Sequence, residues 1–213
     1  MMINYYISFG LSLIFLGKSC DAPVRDVGMD LMAAPVLSKD APFANVYKIL
    51  DGSWMGTFFI YEDERGQMKG SVDEERIDRA YLQQLPLREV GRVSVKQSYV
   101  SVSPYYQKVE IEDTYLENGV QKIMKSHGVN KIQDGVMWCV VQKPEEKVVH
   151  RGSTEGDHTI IWGRRVKDPL NIEYFRETVK SDTYEIVGYG YYGQDNPDLT
   201  PKTWFHGTYQ RQD

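Results

Sequence analysis

The sequence predicts an all-β protein: an antiparallel up-and-down barrel of about nine or ten strands, preceded by a short helix. From Trp54 onwards apolar and polar residues alternate, which is typical of strands with two different faces. Pairs such as Asn118-Gly119 and Asp134-Gly135 separate the alternating runs, and they favour the two-residue turns of β-hairpins. Closure of so many consecutive strands removes exposed strand edges, which favours a barrel over an open sandwich.

The alternating runs also give the expected boundaries of the strands. We predict strands at 54–62, 90–102, 105–117, 120–127, 129–133, 136–142, 147–152, 158–166, 171–180, 183–192 and 202–211. Residues 72–84 allow two interpretations. Helical spacing of Ile77, Tyr81 and Leu85 indicates a helix, whereas the density of charge also suits an edge strand.

The residues before the barrel are expected to export and tether it. The segment from Ile7 to Leu16 has the length of the apolar part of a signal peptide. It continues into Leu16-Gly17-Lys18-Ser19-Cys20, which resembles the signal of bacterial lipoproteins. That resemblance implies removal of the signal peptide 1–19 and a lipid on Cys20, and therefore an extracytoplasmic protein that is anchored to a membrane of the cell envelope. The alternatives are a plain secretory signal, giving a secreted protein, and a buried N-terminal strand.

The tether and the barrel meet near residue 40. Residues 20–39 contain Pro and small residues without a clean period, and we expect them to form a linker. The barrel domain is predicted at 40–213. It begins with a short helix, because Asp40 suits an N-cap and Pro42 the first turn. One face of that helix would plug an end of the barrel; its residues are Phe43, Val46, Tyr47 and Leu50.

Composition narrows the possible functions. The net charge of −5 disfavours a nucleic-acid partner. The two cysteines give no metal-ligand spacing, so no metal site is predicted. Apolar flanks predict a buried, unreactive thiol at Cys139, although a Cys20–Cys139 disulfide is conceivable if Cys20 is not acylated. No catalytic motif stands out, and we predict no catalytic residue.

Polar side chains interrupt the inward faces of two predicted strands. Gln97 shares a face with Val93, Val95 and Tyr99. On the next strand the inward set is Tyr105, Gln107, Val109, Ile111, Asp113 and Tyr115. Polar groups on an inner face indicate a lumen that holds water or a ligand. The alternative is a filled core in which these groups hydrogen-bond to one another.

Two adjacent arginines, Arg164 and Arg165, lie on one predicted strand and must point to opposite faces. One guanidinium should therefore enter the barrel or its rim, where it could hold a carboxylate or phosphate group. A salt bridge with Asp113 or Glu173 is the alternative role for that arginine.

The start and end of the strand series resemble the calycins. Gly52-Ser53-Trp54 is similar to the Gly-x-Trp signature on the first strand of lipocalins and their relatives. In that superfamily the Trp lies across the closed end and an Arg of the last strand packs on it. The resemblance implies a lipocalin-like barrel in which Trp54 and Arg211 have structural roles and stack by cation–π contact.

Two fainter resemblances concern tetrapyrroles. Gln97 and the run Pro104-Tyr105-Tyr106-Gln107-Lys108 resemble a pattern of calycin-type bilin lyases, which attach chromophores to phycobiliproteins. His206 is similar in position to the haem ligand of nitrobindin-type barrels. However, His206 and Arg211 have opposite parity on one strand, so an inward Arg211 predicts an outward, solvated His206.

The sequence therefore predicts a barrel that binds a small apolar or amphipathic molecule in its lumen without chemistry. The expected ligand-binding residues are Gln97, Tyr105, Gln107, Asp113, Tyr115, Arg164 and Arg165. One alternative is a tetrapyrrole-binding protein similar to bilin lyases, which would be the only enzymatic interpretation. The other is a filled barrel that serves as an envelope or protein-interaction module.

Overall fold

A closed barrel of ten antiparallel strands makes up most of the computed structural model, which describes residues 29–212. The strands are β1 Gly52–Asp63, β2 Leu87–Ser103, β3 Tyr106–Glu117, β4 Val120–Gln133, β5 Val136–Gln142, β6 Lys147–Glu155, β7 Thr159–Lys167, β8 Leu170–Lys180, β9 Thr183–Tyr192 and β10 Thr203–Gln212. Each strand pairs with its neighbours along the chain, and β1 pairs with β10 to close the barrel. The predicted fold class is confirmed.

The turns follow the sequence signals that predicted them. Asn118 and Gly119 both have positive φ, as do Asp134 and Gly135, which is the backbone that a two-residue hairpin of type I′ requires. One predicted boundary is wrong. Residues 120–127 and 129–133 form one continuous strand, β4, because Gly128 is not a turn but a point of close approach. A Cβ on Gly128 would lie 2.4 Å from the carbonyl oxygen of Val140 on β5.

Two short 3₁₀ helices close one end of the barrel. They span Ser38–Phe43 and Val46–Leu50, and Asn45 separates them with a left-handed φ of 64°. The predicted helix is present, although it is broken in two. Tyr47 and Leu50 are 2% and 1% exposed, and they join the main core inside the barrel. We call this the closed end.

The connection between β1 and β2, residues 64–86, packs for part of its length on the outer wall. It contains a 3₁₀ turn at Glu74–Arg76 and one α-helical turn at Arg79–Leu82. The edge-strand interpretation of residues 72–84 is therefore wrong. Ile77 and Leu82 pack in a second core with Trp204 and other outward side chains of β8, β9 and β10.

The first described residues, 29–32, cross the outer wall at β4, β5 and β6. Met29 and Leu31 contact a third apolar cluster that contains Trp138. The ammonium of Lys131, whose side chain is 1% exposed, lies 2.9 Å from Asp30. This segment, which we call the strap, belongs to the stretch predicted as a tether. The predicted signal peptide and Cys20 lie outside the described residues.

Within residues 29–212, none of the helices has the length and apolar character needed to cross a bilayer.

Candidate functional site

The barrel contains a cavity of about 1310 Å³. Trp54, which is 1% exposed, lies with Tyr47 and Leu50 at the closed end. The opposite end is open, because exposed residues of the strand ends and turns border the cavity there, among them Leu116 and Glu145. The lumen is therefore neither filled by side chains nor closed at both ends, which argues against the filled-core alternative.

The β3–β4 hairpin creates the opening. Pairing between β2 and β3 ends at Ser94 and Thr114, and pairing between β4 and β5 ends at His127 and Gln142. Beyond these points β3 and β4 continue as a two-stranded ribbon, paired only with each other. The ribbon borders the cavity on one side and exposes apolar residues: Leu116, Val120 and Ile123.

Apolar side chains form somewhat more than half of the wall of the cavity. Its apolar residues include Phe58, Ile60, Val95, Phe175 and Ile186. Phe58 and Phe175 belong to a cluster of rings with Phe205, with centroids 5.4 to 6.5 Å apart. Such a wall favours the apolar part of a ligand over water.

A charged network occupies the half of the lumen near the open end, around Glu173 of β8. The Glu173 side chain is 1% exposed. Its carboxylate accepts a hydrogen bond from the Tyr192 hydroxyl at 3.0 Å and lies 3.1 Å from His150 Nε2 and 3.7 Å from Arg164. Burial alone would raise the pKa of this carboxyl, but His150, Arg164 and Tyr192 outweigh burial, and the pKa is lowered.

Glu177 lies four residues further along β8 towards the closed end, on the cavity wall. Its carboxylate accepts a hydrogen bond from Trp162 Nε1 at 2.9 Å. Burial raises the pKa of Glu177 to about 7, and no cation opposes that shift. At neutral pH this group can therefore donate or accept a proton inside an apolar cavity.

Asp113 is a second carboxyl on the cavity wall. Burial raises its pKa to about 6, and the neighbouring Lys143 opposes the rise. Lys143 also lines the cavity, and its ammonium is 3.8 Å from Glu146. Burial lowers the pKa of Lys143, against the attraction of Glu146 and Glu173.

The structure divides the predicted ligand-binding residues into two groups. Gln97, Asp113 and Tyr115 line the cavity. Gln107 does not line the cavity, because its side-chain amide takes part in the closed end. The amide donates to the Tyr47 carbonyl at 2.8 Å and to Asp51 at 2.9 Å.

Tyr105 precedes β3, at the closed end, and packs against the core there. It is not among the residues that line the cavity.

The adjacent arginines point to opposite faces, as their parity predicted. Arg164 points inward and pairs with Glu146 and Glu173, both at 3.7 Å. Arg165 is exposed on the outer face. The salt bridge to Glu173, which was the alternative to a ligand-holding role, is therefore present.

The stacking implied by the calycin resemblance is also present. The Arg211 guanidinium lies 4.2 Å from the centre of a Trp54 ring and donates to the carbonyl of Asp51. Trp54 Nε1 donates to the carbonyl of Leu50 at 2.7 Å, which joins β1 to the 3₁₀ helix. His206 points outward, where it lies 3.0 Å from Glu185 and stacks on Phe59.

Sequence reasoning missed Glu177 and His150 as residues of the lumen, and it named Glu173 only as a possible partner of an inward arginine. Glu173 and Glu177 share the parity of Phe175 and Val179 on β8, so alternation along 171–180 would have placed both inside. His150 lines the cavity by the same rule on β6. Cys139, a free thiol, also borders the cavity, and burial raises its pKa.

These features define a ten-stranded antiparallel barrel with one closed end, one open end and a partly charged lumen. The sequence matches no protein-family model and no curated protein. Among solved structures it is similar to a redesigned β-barrel, mFAP0, bound to DFHBI, with 13% identity, a TM-score of 0.36, and coverage of 76% of this chain and 99% of that one. It is also similar to EF1p2_mFAP2b bound to DFHBI, with 12% identity, a TM-score of 0.37, and coverage of 80% and 99%. At this distance neither neighbour bears on what this chain binds.

Proposed function

We propose that this protein binds a small apolar or amphipathic molecule in the lumen of the barrel, as a carrier without catalysis. The observation that supports the proposal is the cavity of about 1310 Å³, with mostly apolar walls, a closed floor and an open mouth. Pockets that bind small molecules are typically concave, mostly apolar and supplied with a few polar groups.

Burial of the apolar body of the ligand would supply the affinity. Each Å² of apolar surface that leaves water contributes about 25 cal/mol, before the costs of association. Polar groups on the wall would orient the polar end of the ligand, and the cavity offers Gln97, Asp113 and Tyr115 from the predicted set.

The proposal includes export and a lipid anchor on Cys20, on the strength of the lipoprotein-like sequence from Leu16 to Cys20. An intact mass of the protein isolated from its own host tests this part. The expected mass is that of a chain beginning at Cys20 with added acyl groups, and an unmodified full-length chain would contradict it.

Binding can be tested with Nile red, a neutral dye that fluoresces in apolar surroundings. We expect saturable fluorescence with the wild type, and at least tenfold weaker binding in Val93→Trp, because Val93 points into the cavity. Val100→Trp is the matched control, since Val100 lies on the same strand but is 57% exposed on the outer face.

Equal binding in both variants would place the dye outside the lumen and overturn the proposal. A new visible absorption band on titration with haemin or a bilin, without Nile red binding, would favour the tetrapyrrole alternative.

A further inference from the structure

Glu177 is a carboxyl on the cavity wall without a cation beside it. Among residues 29–212, no Lys, Arg or His forms an ion pair with it. The neutral Trp162 donates a hydrogen bond to it at 2.9 Å, and the nearby Tyr184 hydroxyl also favours its charged form. An isolated buried carboxylate is costly unless a partner compensates its charge. Glu177 is one of the residues that line the cavity.

The other inward charges already have partners inside the protein. Glu173 contacts His150 and Arg164, and Glu146 contacts Arg164 and Lys143. This network lies towards the open end, where the charge of Lys143 also acts on Asp113, whereas no cation of the described part of the chain acts on Glu177 nearer the closed end.

Neighbouring polar groups give the same part of the cavity further capacity for hydrogen bonds. The hydroxyl of Tyr184 is buried, has no hydrogen-bond partner in the described structure, and is close enough to Glu177 for the two groups to affect each other electrostatically. Gln97 lines the cavity and accepts from Tyr99 at 2.5 Å, which fixes the orientation of its amide.

We propose that the lumen selects amphipathic molecules with an amine head group, whose ammonium binds the Glu177 carboxylate while the apolar body extends towards the open end. This inference rests on the proposed function, since it assumes that the lumen takes a ligand. The path from Glu177 to the mouth passes apolar residues of the wall, which include Phe58, Ile60 and Phe175. A carboxylate head in the same place would be repelled by Glu177.

Three probes with the same twelve-carbon chain distinguish the contribution of the head group from that of the apolar body. They are dodecylamine, dodecan-1-ol and dodecanoate. Each is used below its micelle concentration, and its affinity is measured by displacement of Nile red. With the wild type we expect dodecylamine to bind about tenfold more tightly than dodecan-1-ol, and dodecanoate to bind most weakly, because a charge-assisted hydrogen bond typically exceeds a neutral one by that factor.

Glu177→Gln should abolish the preference for the amine and leave affinity for the alcohol within about twofold, since glutamine can still accept from Trp162. Asp113→Asn removes the other cavity carboxyl whose pKa burial raises, and it should retain the preference. Glu110→Gln, on the exposed outer face of β3, is the matched control and should change nothing.

Equal affinity of the wild type for amine and alcohol would overturn the inference and leave the carrier proposal intact. So would a preference that survives Glu177→Gln or disappears in Asp113→Asn. Failure of all three probes to bind would overturn the carrier proposal itself.

Discussion

Glu173 and Glu177 lie four residues apart on β8 and point into the same lumen, and yet their pKa values shift in opposite directions. Near the open end, Glu173 is surrounded by His150, Arg164 and Tyr192, and its pKa falls below the ordinary value of 4.5. Nearer the closed end, Glu177 has Trp162 as its hydrogen-bond donor, and its pKa rises to about 7. Burial acts on both groups in the same sense, so the difference comes from the partners alone.

This difference separates two kinds of inward charge. A carboxylate that the fold has paired serves structure, and removing it leaves buried cations uncompensated. A carboxylate that faces a cavity without a cation destabilises the free protein and is available to a ligand. Three variants test that distinction, in order of expected effect.

Removing the paired carboxylate should have the largest effect. Glu173→Gln leaves Arg164 and His150 inside the barrel without their shared anion, and we expect the free energy of unfolding to fall by about 3 kcal/mol at pH 7. Urea denaturation measures the change. Glu185→Gln is the control, because Glu185 pairs with His206 on the outer face and should cost under about 1 kcal/mol. Similar losses of unfolding free energy in the two variants would show that the buried ion pair of Glu173 stabilises the protein no more than the outer pair of Glu185 does.

Removing the unpaired carboxyl should instead stabilise the protein at high pH. A folded-state pKa above the unfolded value of 4.5 means that the native state holds a proton between about pH 4.5 and 7, so stability falls as pH rises through that window. The loss is roughly 3 kcal/mol by pH 8. Glu177→Gln should abolish this part of the loss.

The measurement is the free energy of unfolding from pH 4 to pH 8. Asp113 acts in the same sense up to about pH 6, so Asp113→Asn should remove only the lower part of the slope. Parallel profiles for the wild type and Glu177→Gln would contradict the high pKa of Glu177.

Removing a single hydrogen bond to Glu173 should have the smallest effect. Tyr192→Phe removes the donor at 3.0 Å from Glu173 and keeps the ring, and we expect a loss of about 1 kcal/mol. Because Tyr192 helps to lower the pKa of Glu173, that pKa should rise in the variant, so the stability that depends on ionised Glu173 should be smaller and should be fully lost at a higher pH than in the wild type. Acid denaturation followed by circular dichroism measures both changes.

The sequence was sufficient to predict the barrel, because alternation and hairpin turns are local signals. Asn118-Gly119 and Asp134-Gly135 have the backbone that their composition predicted. The predicted break between strands 120–127 and 129–133 was wrong, because a glycine needed for the close approach of two strands looks the same in a sequence as one needed for a turn.

The site was harder to predict, because inward parity does not reveal the partner of a side chain. Gln107 and Gln97 have the same inward direction on neighbouring strands. The side-chain amide of Gln107 nevertheless hydrogen-bonds to Tyr47 and Asp51, which lie more than fifty residues earlier in the chain. The same limit applies to Glu173 and Glu177, which only the assembled barrel distinguishes.

The strap has a consequence for how the barrel would sit on a membrane. At Met29 the chain touches Lys147, beside the β5–β6 turn that borders the mouth, and by Met32 it has reached Lys131 towards the closed end. With the proposed lipid on Cys20, nine peptide steps would separate the acylated residue from Met29, a reach of about 30 Å at most. Because Met29 lies beside the β5–β6 turn, the tether would keep the open end near the bilayer surface, and an amphiphile could exchange between membrane and lumen without crossing a long stretch of water.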